Sequence, residues 1–284
     1  MADFSRYLIV TDLDGTFFGK GSRLVERNLT AMERFKAGGG HVTAGTGRIP
    51  GNIRKDIPAC GELFNAPAVT ANGAFIYDLT ADICLHSTPM NVEATLAAAR
   101  LVESLNPRVG MRVSTGESFL VNRDRLNDAI LRDIGGDPDA YEGEVLPLSR
   151  WCTQGALWYK MVFRGEYEEL QIVRPAVEKA FGDIFEYSVS SPRFFELQQK
   201  GCTKATGLAY VAEYLAGKLG HPLVTVAVGD QENDLPMLMA ADIAACPANA
   251  VDAVKAVCDL HLCDHDEGCI GELIERLDTR YGDA

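Results

Sequence analysis

Short unbroken apolar runs alternate with helically spaced apolar positions through the first third of the chain. Tyr7-Leu8-Ile9-Val10 is such a run, as expected for a parallel strand covered on both faces. Leu29, Met32 and Phe35 then recur at helical spacing, and Gly38-Gly39-Gly40 closes that helix. His41-Val42-Thr43-Ala44 reads as a second strand, ending at Gly45-Thr46-Gly47-Arg48. A third, around Ala68-Val69-Thr70, leads to Asn72-Gly73, and Phe75-Ile76-Tyr77 begins a hairpin. The last third repeats the rhythm. A helix near 203–219 precedes a strand at 223–228 that stops at Gly229-Asp230, and a helix begins near Asn233. Short strands follow at 243–245 and 260–262, with a helical stretch at 250–257 between them. This alternation predicts an α/β fold with a Rossmann-like parallel sheet, whose ligands bind at the carboxyl ends of the strands.

The middle of the chain has another pattern. A helix at 92–105 is followed by strands at 111–113 and 119–121, then a helix within 124–134. A strand at 157–163, a helix at 167–181 and strands at 185–188 and 194–198 complete the segment. Helix-strand-strand, repeated, predicts an inserted α+β domain with helices on one side of an antiparallel sheet. The chain thus divides into a core of residues 1–81 and 198–284 and an insertion of residues 82–197. There is no Gly-, Ser- or Pro-rich linker and no solenoid repeat.

Composition narrows the function classes. Over 284 residues, 47% are hydrophobic and 24% charged, an ordinary globular balance. A formal net charge of -13 argues against nucleic acid or an anionic membrane surface as partner. It leaves room for a small phosphate if a metal and local basic groups reverse the field within a site. No apolar run approaches the ~20 residues that span a bilayer, and Met1-Ala2-Asp3-Phe4-Ser5-Arg6 lacks the features of a signal peptide. A cytoplasmic protein is expected. The eight cysteines, Cys60, Cys84, Cys152, Cys202, Cys246, Cys258, Cys263 and Cys269, form no Cys-x-x-Cys pair and read as reduced thiols. Cys258, His261 and Cys263 make a poor metal set, because residues this close on a short strand alternate faces. Nothing in the pattern indicates an oligomeric state.

Candidate chemistry gathers at the predicted strand ends. Asp12 and Asp14 stand two positions apart after an apolar strand, so their side chains share a face in extended geometry, and Gly15 permits a tight turn. Two carboxylates there repel unless a divalent cation joins them, and Mg2+ suits an all-oxygen site. Asp-Leu-Asp-Gly is equally a turn sequence. Gly229-Asp230-Gln231-Glu232-Asn233-Asp234 also follows a strand and opens a helix. Asp230 can join Asp12 on one metal ion, with Asp234 supporting from behind, although Asn233 or Asp230 also serves as a helix cap. Thr46-Gly47-Arg48 offers hydroxyl and amide donors for a phosphoryl group. Lys204 opens a helix, where a cation opposes the helix dipole and a phosphate partner would explain it. Lys200 competes for that role.

Asp12-Leu13-Asp14-Gly15-Thr16, Thr46-Gly47-Arg48, Thr203-Lys204 and Gly229 to Asp234 follow one another in the order of the four motifs of the haloacid dehalogenase superfamily. The chain resembles its Cof-like, subclass IIB sugar-phosphatase branch, and Asn72-Gly73-Ala74 is similar to another recurring segment of that branch. The resemblance spans nearly the whole chain and implies that the insertion is a C2-type cap closing over the leaving group of a sugar phosphate or similar small metabolite. It implies Asp12 as the nucleophile that carries the phosphoryl group as an aspartyl phosphate, and Asp14 as acid and then base. Mg2+ would be held by Asp12, the Asp14 carbonyl and Asp230. Thr46, Gly47, Lys204 and Asn233 would bind phosphoryl oxygens, with Arg48 and Asn72 as further candidates. Asp14 disfavours dehalogenation, since members that cleave carbon–halogen bonds lack it. The family's third motif often continues Lys-Gly, whereas this chain has Lys204-Ala205. Specificity residues do not transfer, and Arg112, Arg123, Trp151, Trp158, Lys160 and Arg193 are cap residues with packing or surface roles to weigh against substrate contact. A phosphomutase of the phosphomannomutase type and a non-catalytic phosphate-binding regulator are the competing functions.

Overall fold

In the computed structural model, which describes residues 3–116, 118–141, 143–153, 155 and 157–281, the apolar run Tyr7–Thr11 lies inside a five-stranded, wholly parallel sheet. The strand order is Leu260–His261, Ile243–Cys246, Val224–Val228, Tyr7–Thr11, His41–Ala44. Successive side chains of a strand point to opposite faces. Leu8 and Val10 accordingly pack with Leu208, Val211 and Met237, while Ile9 packs on the other face with Phe35, Ile270 and Leu273. Two apolar faces require the run to be unbroken. Tyr7–Thr11 pairs with His41–Ala44 on one side and Val224–Val228 on the other. The strand order therefore reverses beside it, and the crevice between Thr11 and its partner Val228 is where such a sheet binds ligands.

Contacts divide the chain into two units, Met1–Ser87 with Thr203–Ala284, and Thr88–Cys202. These limits differ from the division at 81/82 and 197/198. Ile83–Ser87 completes a three-stranded antiparallel sheet with Ala68–Thr70 and Phe75–Asp78, and a cut at 197 would sever the strand Phe194–Gln199.

The first unit also contains elements absent from the sequence reading: a small hairpin of Phe18–Gly19 with Arg23–Leu24, helices Pro50–Asp56 and Cys60–Leu63, and a C-terminal helix Cys269–Tyr281. That last helix buries Ile270, Leu273, Ile274 and Leu277, spaced three and four apart, and packs beside Glu26–Ala37. The helical stretch expected at 250–257 contracts to Asp252–Lys255. Among the described residues no helix is long and apolar enough to cross a membrane.

The second unit is a six-stranded sheet ordered Glu144–Leu146, Phe119–Asn122, Gly110–Ser114, Lys160–Arg164, Phe194–Gln199, Phe185–Ser191. All neighbours are antiparallel except the outermost pair, Glu144–Leu146 with Phe119–Asn122, which is parallel. Helices Val92–Leu105 and Tyr167–Phe181 cover one face around Met111, Val113, Phe163 and Phe195. Helices are not confined to that face. Leu120 joins this core, but its neighbour Val121 packs with Ile130 of the helix Asp128–Asp133 on the reverse side. Trp151 and Trp158 are buried in the main core of this unit with rings 5.8 Å apart, edge to face. Arg123 pairs with Asp139, and Arg193 with Glu166, at exposed positions. Lys160 is buried against Glu196 at 3.2 Å, and the Arg112 guanidinium lies 4.1 Å from the Phe119 ring centre. The Cys152 side chain lies outside what the structure describes.

Candidate active site

The first strand ends at Thr11, and Asp12 continues its ladder by donating its N–H to Val228 O at 2.8 Å. Its carboxylate is nearly buried and accepts from Lys204 Nζ at 2.6 Å. The same ammonium donates to Asp234 Oδ1 at 2.5 Å. Lys204 is the first residue of the helix Lys204–Leu219, capped by Thr203, and its side chain is fully buried. Asp234 in turn accepts the backbone N–H of Asp230 at 2.9 Å and of Gln231 at 3.1 Å through Oδ2. Asp234 thus locks the loop that presents Asp230. The Asp230 carboxylate is buried, accepting from Thr16 Oγ1 at 2.8 Å and Gln231 Nε2 at 3.2 Å. Lys200, the competing lysine, is half-exposed and paired with Glu186 at 3.3 Å.

Gly15 shows how closely these parts approach. It has φ +79°, and a Cβ there would lie 2.5 Å from Asp230 Oδ2. A side chain there is strained by the left-handed backbone and would displace the Asp230 carboxylate. A second glycine is equally constrained. Ala71, Asn72 and Gly73 have successive φ values of +48°, +55° and +94°, and a Cβ on Gly73 would lie 2.1 Å from Thr203 O. This turn abuts the residue that caps the Lys204 helix. It also donates Asn72 N to Thr46 O at 3.0 Å and Ala71 N to Arg48 O at 2.9 Å, so one strained turn fixes the Thr46 loop and the lysine helix together.

The electrostatics are those of an acidic site short of positive charge. Burial pushes the Asp12 carboxyl well above its ordinary range; Lys204 opposes this, and Asp234, Asp230 and Asp14 add to it. Burial, followed by the charge on Asp234, pushes Asp230 up to about 6. Burial alone would lower Lys204, but Asp12 and then Asp234 outweigh it and hold the ammonium charged. Asp12, Asp14, Asp56, Asp230 and Asp234 face two cationic side chains, Lys204 and Arg48, so the acids outnumber the bases by three. A divalent cation fits that deficit, and the all-oxygen donor set suits a hard ion. Asp12, Asp230 and Asp234 offer carboxylate oxygens within 4.8 Å of one another. Asp234 is committed to Lys204 and two amides, so Asp12 and Asp230 are the better ligands. The other acidic group of this kind among the described residues, Asp264 with His265 and Asp266, lies partly exposed, and Asp266 pairs with Lys20 and Arg23.

The remaining predicted residues divide. Thr46 is buried, its Oγ1 accepting Arg48 N at 3.1 Å. Gly47 stands beside it, half-buried. Asn233 has a buried Oδ1 with no hydrogen-bond partner among the described residues, an orphan acceptor that calls for a donor. Asn72 is buried against the Thr46 loop. Arg48 departs from the phosphate role considered for it. It grips Asp14 through Nη2–Oδ1 at 2.5 Å and Nε–Oδ2 at 2.7 Å, is backed by Asp56, and lies 5.0 Å from the Phe18 ring centre. Asp14 itself is exposed at the mouth of the site. Thr16, Gln231 and Asp56 were not singled out from sequence. Thr16 and Gln231 lie inside the quoted motifs, but which side chain each meets depends on the fold.

The acidic cluster and its buried lysine stand at the switch point of a Rossmann-like parallel sheet. The family model described as haloacid dehalogenase-like hydrolase matches residues 9–274, and the chain belongs to that family. It is 25% identical over 273 residues to pyridoxal phosphate phosphatase YbhA of Escherichia coli (strain K12), covering 94% of this chain and 97% of that protein. It is 24% identical over 276 residues to the chloroplastic endoribonuclease YBEY of Arabidopsis thaliana. That match takes in 94% of this chain but 46% of the relative, so the chain spans about half the length of that protein. Among solved structures, the HAD subclass IIB sugar phosphatase BT4131 matches with a TM-score of 0.76 at 22% identity, over 95% of this chain and 98% of that one. This last likeness is one of fold.

Proposed function

We propose that this phosphatase is a magnesium-dependent phosphomonoesterase of small phosphorylated metabolites, sugar phosphates foremost, with Asp12 as its nucleophile. The observation that carries the reading is the buried bridge in which Lys204 Nζ holds Asp12 at 2.6 Å and Asp234 at 2.5 Å, beside Asp230. The grip fixes one carboxylate oxygen of Asp12 and opposes the burial that favours its protonation, which serves a nucleophile. An Asp12 oxygen attacks phosphorus in line, the bond to the leaving oxygen breaks, and the aspartyl phosphate forms. Asp14 gives its proton to the leaving oxygen, then takes one from the water that attacks phosphorus of the aspartyl phosphate, breaking its bond to Asp12 and releasing phosphate. Taking up that proton requires Asp14 to release at least one of its bonds to Arg48. Thr46, Gly47, Lys204 and Asn233 are the donors for the phosphoryl oxygens. Asp12, the Asp14 carbonyl and Asp230 would hold magnesium, which would supply positive charge to offset that of the carboxylates and the phosphoryl group.

The test is Asp12→Asn, an isosteric change, assayed on p-nitrophenyl phosphate with magnesium. Turnover should fall by about a thousandfold or more, equivalent to ~4 kcal/mol of barrier. EDTA should abolish turnover in the unmodified protein. Wild-type turnover in the variant removes Asp12 from the mechanism, and turnover persisting in EDTA removes the metal.

A further inference from the structure

The turn that follows Asp12 is held along its length by residues distant in sequence. Asn249 Nδ2 donates to Gly15 O at 2.8 Å, and Cys269 Sγ donates to Thr16 O at 3.3 Å. Asn28 Nδ2 donates to Phe17 O at 3.0 Å, while its Oδ1 accepts Gly271 N at 3.0 Å. His265 Nδ1 lies 2.6 Å from Phe18 O, a contact that requires the Nδ1–H tautomer. Successive carbonyls from Gly15 to Phe18 are therefore each gripped by a side chain. Asn249 links the two ends of the series, because its Oδ1 accepts His265 N at 3.2 Å.

Asn28 and Cys269 are buried and serve the packing of the fold. Asn249 differs. It is exposed, on the loop after the strand Ile243–Cys246, at the same end of the sheet as the candidate active site. It grips the peptide between Gly15 and Thr16. On one side of that peptide Thr16 Oγ1 donates to Asp230, and on the other Gly15 stands against Asp230 with no room for a Cβ. A tilt of this peptide moves the Thr16 hydroxyl relative to Asp230 and re-aims Asp14, one residue earlier. We propose that Asn249 is a positioning residue for phosphoryl transfer, holding the Gly15 carbonyl and thereby the turn that carries Asp14 and Thr16. The proposal rests on the reading of Asp12 as nucleophile.

Asn249→Ala and Asn249→Asp separate positioning from packing. Water can replace an exposed amide donor in part, so Asn249→Ala should lower kcat by roughly 3- to 10-fold. Asn249→Asp keeps the shape and the acceptor for His265 N but sets a carboxylate oxygen against Gly15 O. It should lower kcat by at least about 10-fold. In both variants the KM for p-nitrophenyl phosphate at saturating magnesium stays within roughly threefold and the melting temperature changes little. Asn249→Asp within twofold of wild-type kcat overturns the proposal, as does a loss of kcat that parallels a loss of thermal stability. If Asn249→Ala fails to fold, Asn249→Ser is measured in its place against the same limits. Asp12→Asn in the same assay isolates the underlying reading. If it is inactive while Asn249→Asp is intact, the Asn249 proposal alone fails; if it turns over normally, the nucleophile assignment fails.

Discussion

Lys204→Met tests the centre of the site. The substitution keeps the length and removes the charge from a side chain with no exposure, bonded to Asp12 at 2.6 Å and Asp234 at 2.5 Å. Breaking a buried ion pair from one side leaves uncompensated charge and costs about 3–5 kcal/mol. For a folding unit of this size that corresponds to a fall of about 6–20 °C in melting temperature. The carboxylates can relieve part of the cost by protonating. Lys204 is the group that opposes the burial-driven rise at Asp12, so without it Asp12 stays protonated to higher pH. The stability gap between variant and wild type should therefore widen as the pH rises from 5 to 8. Melting curves across that range, with kcat on p-nitrophenyl phosphate measured in parallel, make the assay. Lys200→Met is the control, since its half-exposed pair with Glu186 is worth about 0–1 kcal/mol. A Lys204→Met protein melting within 2 °C of wild type at pH 8 refutes the reasoning. So does a Lys200→Met protein that loses as much.

Asp230 has a folded-state pKa of about 6 against an ordinary 3.8, so the stability it contributes is present below pH 4 and lost as the pH rises through 6. In metal-free protein this loss is about 3 kcal/mol. Asp230→Asn should flatten that part of the pH profile, and magnesium at a hundred times its Kd should return about 2.7 kcal/mol to the wild type, both measured by thermal melting. Gly15→Ala combines a left-handed backbone with a Cβ 2.5 Å from Asp230 Oδ2. Its kcat should fall about a hundredfold through displacement of the turn, and a near-normal kcat would show that the turn has slack.

The parallel core was legible because its strands are buried on both faces. Tyr7-Leu8-Ile9-Val10 is an unbroken apolar run and Val224–Val228 is broken only at Thr225, and the polar residues after each stand at strand ends. Ile83–Ser87 was missed as part of the first unit because its positions are exposed or half-exposed, and no hydrophobic pattern marks such a strand. The helix Cys269–Tyr281 does carry a helical apolar spacing at Ile270, Leu273, Ile274 and Leu277, which marks it in the sequence. The helix Asp128–Asp133 falls within the helix expected at 124–134, but its place on the reverse face was not legible, because Gly110 makes room for Ile130 and a glycine does not announce which helix will fill its space. Within the site, residue types were legible and partners were not. Arg48 in a Thr-Gly-Arg loop suggests a phosphate ligand, and its bonds to Asp14 and Asp56 follow from the meeting of a strand end, a turn and the helix Pro50–Asp56.

Lys204 has different partners from the one its place in the sequence suggests. A cation at the first position of a helix opposes the dipole, and a phosphate was the natural partner to invoke. The structure supplies two carboxylates instead, which offset the dipole and the burial together without any ligand. This changes what the site lacks. Its lysine is already satisfied, and the deficit lies with the acids: five carboxylates against two cations, with Asp12 and Asp230 both driven upward by burial. A site so arranged attracts a divalent cation before it attracts a phosphate dianion, which would add to the excess. On the proposed function, charge balance would therefore favour metal before substrate, with the stabilising effect of the cation falling on the two aspartates proposed to hold it.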